Sequence, residues 1–262
     1  MKAVIKRFIG PKGAARIREW FPSSVKKRAD IEETARKAAF YGTFVKEGSI
    51  CFDVGANMGN RIMPLLQIGA RIVAIEPQEQ CYRYLKRKFG KKIVLVKKGL
   101  GEANGIKHFH ISEDSTLSSF SDHWINSVTG TGRFKGKKWV KTVDVAITTA
   151  DELIAVYGKP AFIKIDVEGY ELEVLKGLTQ PVDMLSFEYT VPEQPERALM
   201  CLAQIEKHNP QIECNYSVGE DLVWAMPGWI TSGQMKELIL SKSFQNTSFG
   251  DIYVRTKADA VS

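Results

Sequence analysis

The 262-residue sequence has no uninterrupted apolar run of the roughly 18 residues that a membrane-spanning helix needs, so we expect no membrane span. Its first 20 residues are basic but lead into no apolar stretch, which makes them a poor secretory signal. Cysteine is also scarce: there are four, without a CxxC pair or a nearby histidine, at positions 51, 81, 201 and 214. We interpret them as reduced thiols of a cytoplasmic protein. The sequence predicts no metal site, although carboxylates at strand ends could hold Mg²⁺.

Most of the chain also lacks an excess of charge. Residues 1–48 hold 12 Lys/Arg against 5 Asp/Glu, whereas the remaining 214 residues hold 25 of each. We therefore predict two units, a basic helical segment over 1–47 and a catalytic domain over 48–262. Two basic runs interrupt the neutral part, at 83–98 and 133–141. They fit a solvated surface or a field for an anionic partner, and nucleic acid ranks lower because stackable aromatics are not regularly interleaved.

From residue 49 onward, short β-branched runs alternate with helical segments. Strands are predicted at 50–54, 72–75, 93–96, 162–167 and 184–187, with helices near 60–68, 78–89, 148–157, 170–178 and 195–208. An added strand pair is predicted at 107–111 and 139–145, and two last strands at 211–216 and 251–255 flank a helix at 231–241. This alternation predicts an α/β fold with a mostly parallel sheet covered by helices on both faces.

The segment Asp53-Val-Gly-Ala-Asn-Met-Gly59 lies where the first strand passes into a helix. It differs from a dinucleotide-binding loop because an acid precedes the first glycine and Asn57 replaces the second. A carboxylate there would repel a pyrophosphate but suits a ligand with a positive amino or sulfonium group. Glu76 ends the next strand, where an acid can accept both ribose hydroxyls. Together these residues predict a site for S-adenosylmethionine.

A second acidic segment, Ile163-Lys-Ile-Asp-Val-Glu-Gly-Tyr170, follows another apolar strand. Acids at strand ends of an open α/β sheet face the ligand crevice, so we predict functional roles for Asp166 and Glu168. Glu168 has an alternative interpretation as a helix cap, because a carboxylate is stabilised at a helix N-terminus. Asp166 is harder to explain in that way, since it closes an otherwise apolar strand.

The segments DVGANMG, IEP, IKIDVEGYELEVLKG and LSFEYT together resemble the FkbM family of S-adenosylmethionine-dependent methyltransferases. The resemblance implies a Rossmann-like sheet of seven strands with the last strand antiparallel, preceded here by an N-terminal helical appendage. It implies that the methionine end of the cofactor is lined by Asp53, Gly55, Ala56, Asn57 and Gly59. It further implies that Glu76 holds the ribose and that the stretch Gly99-Leu100-Gly101-Glu102 lies by the adenine. We also predict that Asp166, at its strand end, contacts the cofactor.

The resemblance implies O-methylation of a sugar, a glycan or a similar small metabolite, and a hydroxyl acceptor needs a base for its proton. We predict Asp166, Glu168, His108 and His110 as the catalytic candidates, with Glu188 and His123 as further possible bases. The Gly/Ser/Thr-rich stretch 112–138 is predicted to be a lid or an acceptor-binding insert. A nucleic-acid methyltransferase and a non-catalytic cofactor-binding module remain alternatives, and the oligomeric state is not predicted.

Overall fold

The computed structural model describes residues 24–257 of the chain. The predicted N-terminal segment is helical over Ser24–Tyr41 (α1), and its first 23 residues lie outside the described part. The end of α1 is not a separate appendage: Phe40 and Tyr41 are buried in the main core. Among residues 24–257, no helix combines the length and apolar character that crossing a bilayer requires.

The remaining elements follow the predicted alternation. The strands are β1 Ile50–Val54, β2 Arg71–Ile75, β3 Val94–Val96, β4 Gly99–Leu100, β5 Gly105–Ser112, β6 Trp139–Thr148, β7 Phe162–Ile165, β8 Met184–Thr190, β9 Ile212–Val218, β10 Ile230–Thr231 and β11 Phe249–Thr256. The helices after α1 are α2 Ile62–Gln67, α3 Glu79–Phe89, α4 Asp122–Gly130, α5 Ala150–Tyr157, α6 Glu171–Lys176, α7 Pro195–His208, α8 Ser232–Leu240 and α9 Lys242–Gln245.

The main sheet has the strand order β10-β9-β11-β8-β7-β1-β2-β3. Strands β3, β2, β1, β7 and β8 pair in parallel, and β11 is antiparallel to both of its neighbours, so the predicted antiparallel last strand is confirmed. The sheet has eight strands rather than the predicted seven. The additional strand, β10, pairs with β9 over two residues, which is too short for a hydrophobic period to be visible in the sequence.

Both faces of the sheet are buried, as parallel sheets require. Alternate residues of β1 divide between the two faces: Phe52 and Val54 join one apolar cluster, and Cys51 joins the other. Strand β7 repeats this division, with Ile163 and Ile165 on the first side and Phe162 on the second. The sheet is therefore a rigid platform whose carboxyl ends carry polar residues.

The predicted strand pair is confirmed as a hairpin of β5 and β6, which β4 extends to a small second sheet. The segment between them (residues 113–138, hereafter the insert) contains a 3₁₀ turn at Ser115–Leu117 and helix α4. It has an apolar cluster of its own, centred on Leu117, Trp124 and Val128. The insert is thus a folded element with a fixed shape.

Candidate active site

A cavity of about 380 Å³ lies beyond the carboxyl ends of β1, β2, β7 and β8, and the insert covers it. This position is where open α/β sheets bind ligands, and the volume falls within the range of small-molecule sites. One end of the cavity is formed by the loop after β1 together with Glu76, and we call it the loop end. The other end is formed by Asp166, Glu168 and Glu188, and we call it the acidic end.

The loop after β1 passes unusually close to the acidic end. Gly55 has a φ of +80°, and a Cβ atom there would lie 1.8 Å from the carbonyl oxygen of Asp166. Any side chain at this position would therefore force the two segments apart. Asn57 also adopts a left-handed conformation (φ +45°), which asparagine tolerates better than most residues.

The other predicted loop residues divide between the cavity and the protein interior. Ala56 lines the cavity and is buried. Gly59 does not line it; a Cβ atom there would lie 2.7 Å from the ring of Phe89 and 2.9 Å from Leu85. The glycine therefore allows the loop to pack against α3, which supports the cavity wall from behind.

Glu76 ties the loop to the end of β2. Its two carboxylate oxygens accept hydrogen bonds from the backbone N–H groups of Asn57 and Gln78, each at 2.7 Å. The side chain is almost fully buried and lines the cavity. Burial raises the pKa of Glu76 to about 7, against the opposing effect of the two hydrogen bonds.

Asp53 is the deepest acid at the loop end. It is buried, and its Oδ2 atom has no hydrogen-bond partner among the described residues. Burial raises the pKa of Asp53, whereas the positive charges of Lys164 and Arg61 oppose that shift. A buried carboxylate oxygen without a donor is costly, so this atom is suited to receive a hydrogen bond from a bound ligand.

The acidic end brings together three carboxylates from the ends of two adjacent strands. Oxygen atoms of Asp166, Glu168 and Glu188 all lie within 4.8 Å of one another. Asp166 accepts a 2.5 Å hydrogen bond from the ammonium of Lys164, which is buried in β7. Among the described residues, neither Glu168 nor Glu188 has a side-chain ion pair. Oxygen ligands at this spacing could also hold a divalent cation, although the sequence predicts none.

The ionisable groups of the acidic end differ in their surroundings, which shift their pKa values in different ways. Burial, and next the charge of Asp166, raise the pKa of Glu168 and of Glu188 well above their ordinary values. Burial alone would lower the pKa of Lys164, but the neighbouring carboxylates, Asp166 first, raise it above its ordinary value. The member of the trio that is paired with a cation is therefore Asp166.

The turn that carries Glu168 is fixed on all sides. Glu168 has a φ of +54°, and its carbonyl accepts a 2.7 Å hydrogen bond from Ser119 of the insert. Glu171 caps the turn by accepting from the N–H groups of Val167 and Gly169, each at 3.1 Å. A non-glycine residue with positive φ is held in place only where surrounding contacts determine it, which is typical of functional sites.

Two pairs of predicted site residues lie outside the cavity wall. On β5 the side chains alternate, so Phe109 lines the cavity while His108 and His110 point away from it. His108 pairs with Asp144, and His110 contacts Thr142 and Asp122. The structure thus places His108 and His110 on the face of β5 that is turned away from the cavity.

The predicted stretch after β3 divides between the cavity wall and the surface. Of residues 99–102, Gly99 and Leu100 line the cavity together with Lys98, whereas Gly101 and Glu102 do not. Glu102 is exposed, and Gly101 packs against Ile147.

Sequence reasoning missed two cations of the cavity wall. Lys164 stands in an otherwise apolar strand, and this contrast was the available signal for a buried ion pair. Arg133 of the insert donates to the carbonyls of Val191 and Ser248 and forms a 2.7 Å ion pair with Glu193. It therefore fastens the insert to the ends of β8 and β11.

The model of the FkbM methyltransferase domain matches residues 53–217, more than half of the chain. The hexuronic acid methyltransferase AglP of Haloferax volcanii is 27% identical over 147 residues, which are 54% of this chain and 55% of that protein. The matched segment thus spans about half the length of that relative.

Among solved structures, a precorrin-6Y C5,15-methyltransferase from Geobacter metallireducens matches with a TM-score of 0.44 and 11% identity, covering 86% of this chain and 88% of that one. A TehB-like SAM-dependent methyltransferase from Corynebacterium glutamicum matches with a TM-score of 0.43 and 12% identity, covering 85% and 88%. At these low scores the assignment depends on the family model and on the motifs in the cavity wall. On that basis, the chain belongs to the FkbM methyltransferase domain family.

Proposed function

We propose that this protein uses S-adenosylmethionine to methylate a hydroxyl group of a sugar or glycan. The observation that carries the proposal is the pairing of two unlike ends in one cavity. The loop end holds the buried acids Asp53 and Glu76, and the acidic end holds three carboxylates that lie within 4.8 Å of one another. The first end suits the cofactor, and the second suits removal of a proton from an acceptor.

The residues of the loop end fit the cofactor that the family implies. The unpartnered Oδ2 of Asp53 is an acceptor for the amino group of the methionine moiety. Glu76 lines the cavity with a carboxylate that can accept from ribose hydroxyls, as at the equivalent strand end of dinucleotide folds. Gly55, where a side chain would collide with the Asp166 backbone, keeps the loop and the acidic end close together. When bound, the cofactor supplies an electrophilic methyl group on a sulfonium.

The chain's own part in the reaction is to position the acceptor and take its proton. We assign proton acceptance to the Asp166 carboxylate, which Lys164 holds at 2.5 Å. Glu168 and Glu188, whose pKa values are raised by burial, are suited to hydrogen bonding with the sugar in their protonated form. The insert lies over the cavity, and Arg133 fastens it to the ends of β8 and β11.

A sugar acceptor is supported by the relative that is named a hexuronic acid methyltransferase. Sugar hydroxyls also match the polar lining of the acidic end, where carboxyl groups can both accept and donate hydrogen bonds. A cytoplasmic location is part of the proposal and agrees with the four cysteines, all of which are free thiols and buried.

The proposal is tested by incubating the protein with S-adenosylmethionine that carries an isotopically labelled methyl group and with a panel of acceptors. The panel contains uronic-acid oligosaccharides, neutral oligosaccharides, nucleotide sugars and RNA. We expect label in a carbohydrate product as an O-methyl group, and loss of labelling in the Asp166→Asn variant.

If the label appeared in the RNA and in none of the carbohydrates, the acceptor would be a nucleic acid and not a glycan. Binding of S-adenosylhomocysteine without transfer to any acceptor class would favour a non-catalytic module. The Glu102→Gln variant is the matched control, because it also neutralises one acid but lies outside the cavity wall, and we expect it to retain full labelling.

A further inference from the structure

Helix α3 and the strand that follows it carry a dense positive surface beside the cavity. Eight exposed cations belong to it: Arg83, Lys86, Arg87, Lys88, Lys91, Lys92, Lys97 and Lys98. We call this set the basic track. Between residues 83 and 98 the sequence has no acid, so nothing within the segment cancels this charge.

Local acids neutralise little of the basic track. Glu79, in the first turn of α3, pairs with both Arg83 and Lys97. Within residues 24–257, the other six cations have no carboxylate within salt-bridge distance. A group of unpaired like charges destabilises the free protein through mutual repulsion, and a polyanion that binds along it removes that repulsion.

The basic track is continuous with the cavity at two points. Gln78 lines the cavity and immediately precedes α3, and Lys98 lines it at the point where the chain returns along β3. The pairs of Glu79 with Arg83 and Lys97 join these two segments at the cavity edge. From there α3 extends over 11 residues, or about 16 Å, to Phe89, and a 3₁₀ turn at Gly90–Lys92 follows it.

The rings of Tyr82 and Tyr84, beside the basic track, are covered by its cations. The ring of Tyr84 is covered by Arg87 at 5.9 Å and by Lys88 at 5.3 Å, and the ring of Tyr82 is covered by Lys97 at 5.7 Å. Single-stranded nucleic acids are held by aromatic rings that bases can stack on. Rings already covered by cations disfavour that mode of binding.

We propose that the basic track binds an acidic glycan, one that carries carboxylate groups along its length. This inference rests on the proposed function for the glycan class of acceptor. It adds that recognition extends outside the cavity, over several sugar units, and that it depends on charge. A polymer lying along α3 would reach the rim of the loop end at Gln78 and Lys98, and its acceptor unit would extend from there across the cavity to the acidic end.

The test measures binding of the full chain to fluorescently labelled oligogalacturonate by anisotropy, with no cofactor present. One variant combines Lys86→Gln, Arg87→Gln and Lys88→Gln. The matched control combines Lys135→Gln, Lys138→Gln and Lys141→Gln, which removes the same charge from exposed positions of the second basic run. Neutral dextran and a single-stranded RNA of similar charge serve as comparison ligands.

We expect the α3 variant to bind oligogalacturonate at least ~10-fold more weakly than wild type at about 50 mM salt, and the control to change less than ~3-fold. Wild-type binding should weaken steeply towards about 200 mM salt, and dextran should not bind. Equal losses in both variants, or tighter binding of RNA than of oligogalacturonate, would overturn the inference.

Binding of S-adenosylhomocysteine to the same samples separates this inference from the proposed function. Both variants should retain wild-type affinity for it, because their substituted residues do not line the cavity. If S-adenosylhomocysteine binds and oligogalacturonate binding is unaffected by the α3 substitutions, the inference about the basic track is wrong and the proposed function is not affected. If S-adenosylhomocysteine does not bind even to wild type, the proposed function fails irrespective of the glycan result.

Discussion

The loop end and the acidic end of the cavity are both built from strand-end carboxylates, but they are held in different ways. At the loop end, backbone groups fix the acids: Glu76 accepts two hydrogen bonds from N–H groups, and the glycines set the path of the loop. At the acidic end, an ion pair holds Asp166, whose carboxylate accepts from the buried ammonium of Lys164, whereas Glu168 and Glu188 have no ion pair among the described residues. Under the proposed function, the first end binds the cofactor and the second takes the acceptor's proton.

The comparison predicts the largest effect on turnover at the acidic end. Asp166→Asn should lower the rate of methyl transfer by roughly 10²–10⁴, because the amide cannot accept the acceptor's proton. Its affinity for S-adenosylhomocysteine should stay within about threefold of wild type, since the loop end is intact. Single-turnover kinetics and calorimetry on the same preparation check the two halves. A collapse of affinity with little change in rate would show that Asp166 belongs to the cofactor side.

The next effect concerns stability. Lys164→Met should lower the free energy of unfolding by about 3–5 kcal/mol, because it leaves Asp166 without its cation and removes one of the two positive charges near the buried Asp53. Chemical denaturation measures the change. The double variant Lys164→Met/Asp166→Asn is the control, and we expect it to lose less than the sum of the single variants. Strict additivity would show that the pair contributes nothing as a pair.

At the loop end, binding should be affected more than the chemistry. In Glu76→Gln the amide can no longer accept on both sides, so the bonds to Asn57 and to the ribose are weakened together. We expect S-adenosylhomocysteine to bind about 10–100-fold more weakly, as the loss of charged hydrogen bonds of about 1.5–3 kcal/mol implies. The transfer rate at saturating cofactor should change far less. A variant with normal affinity would remove Glu76 from the cofactor site.

The ionisation of Glu76 leads to a prediction of how the affinity for S-adenosylhomocysteine depends on pH. Burial raises its pKa to about 7 in the free protein, and accepting ribose hydroxyls would stabilise the charged form, so binding should release a proton. The affinity for S-adenosylhomocysteine should then be highest above about pH 7 and fall by at most about tenfold per pH unit below it. Calorimetry from about pH 5.5 to about pH 8.5 measures how the affinity changes with pH, and Glu76→Gln should flatten this dependence. A slope of the opposite sign would contradict the assignment.

The smallest effect is expected from the N-terminus. Deleting residues 1–23 should leave S-adenosylhomocysteine affinity within about twofold, because within residues 24–257 the cavity is lined by residues from Asp53 to Phe249 and by none of α1. Deletion should not extend further, since Lys37 of α1 is buried and contacts Glu220 of the cavity wall at 3.9 Å. Calorimetry on the truncated chain checks this prediction, and a large loss would assign these residues to the pocket.

The two ends of the cavity also differ in how far the sequence predicted them. Asp53 and Glu76 each stand at the carboxyl end of a separate strand. The alternation of strands and helices predicts that both strands belong to one sheet, and therefore that both acids lie at the same edge of it. The convergence of Glu188 with Asp166 and Glu168 depends on the pairing of β8 with β7, which joins segments about 20 residues apart. Lys164 and Asp166 are close in the chain, but their ion pair depends on the burial of Lys164, which the sequence does not show. Periodicity could also not tell which face of β5 meets the cavity, so the sequence did not show that His108 and His110 lie on the other face.

The most direct test of the account is a crystal structure of the protein with S-adenosylhomocysteine. We predict ribose hydroxyls within hydrogen-bond distance of the Glu76 carboxylate, an amino group against Asp53, and the sulfur atom facing the side of the cavity that holds Asp166, Glu168 and Glu188. Adenosine at the acidic end, or a ligand outside this cavity, would contradict the assignment of the two ends.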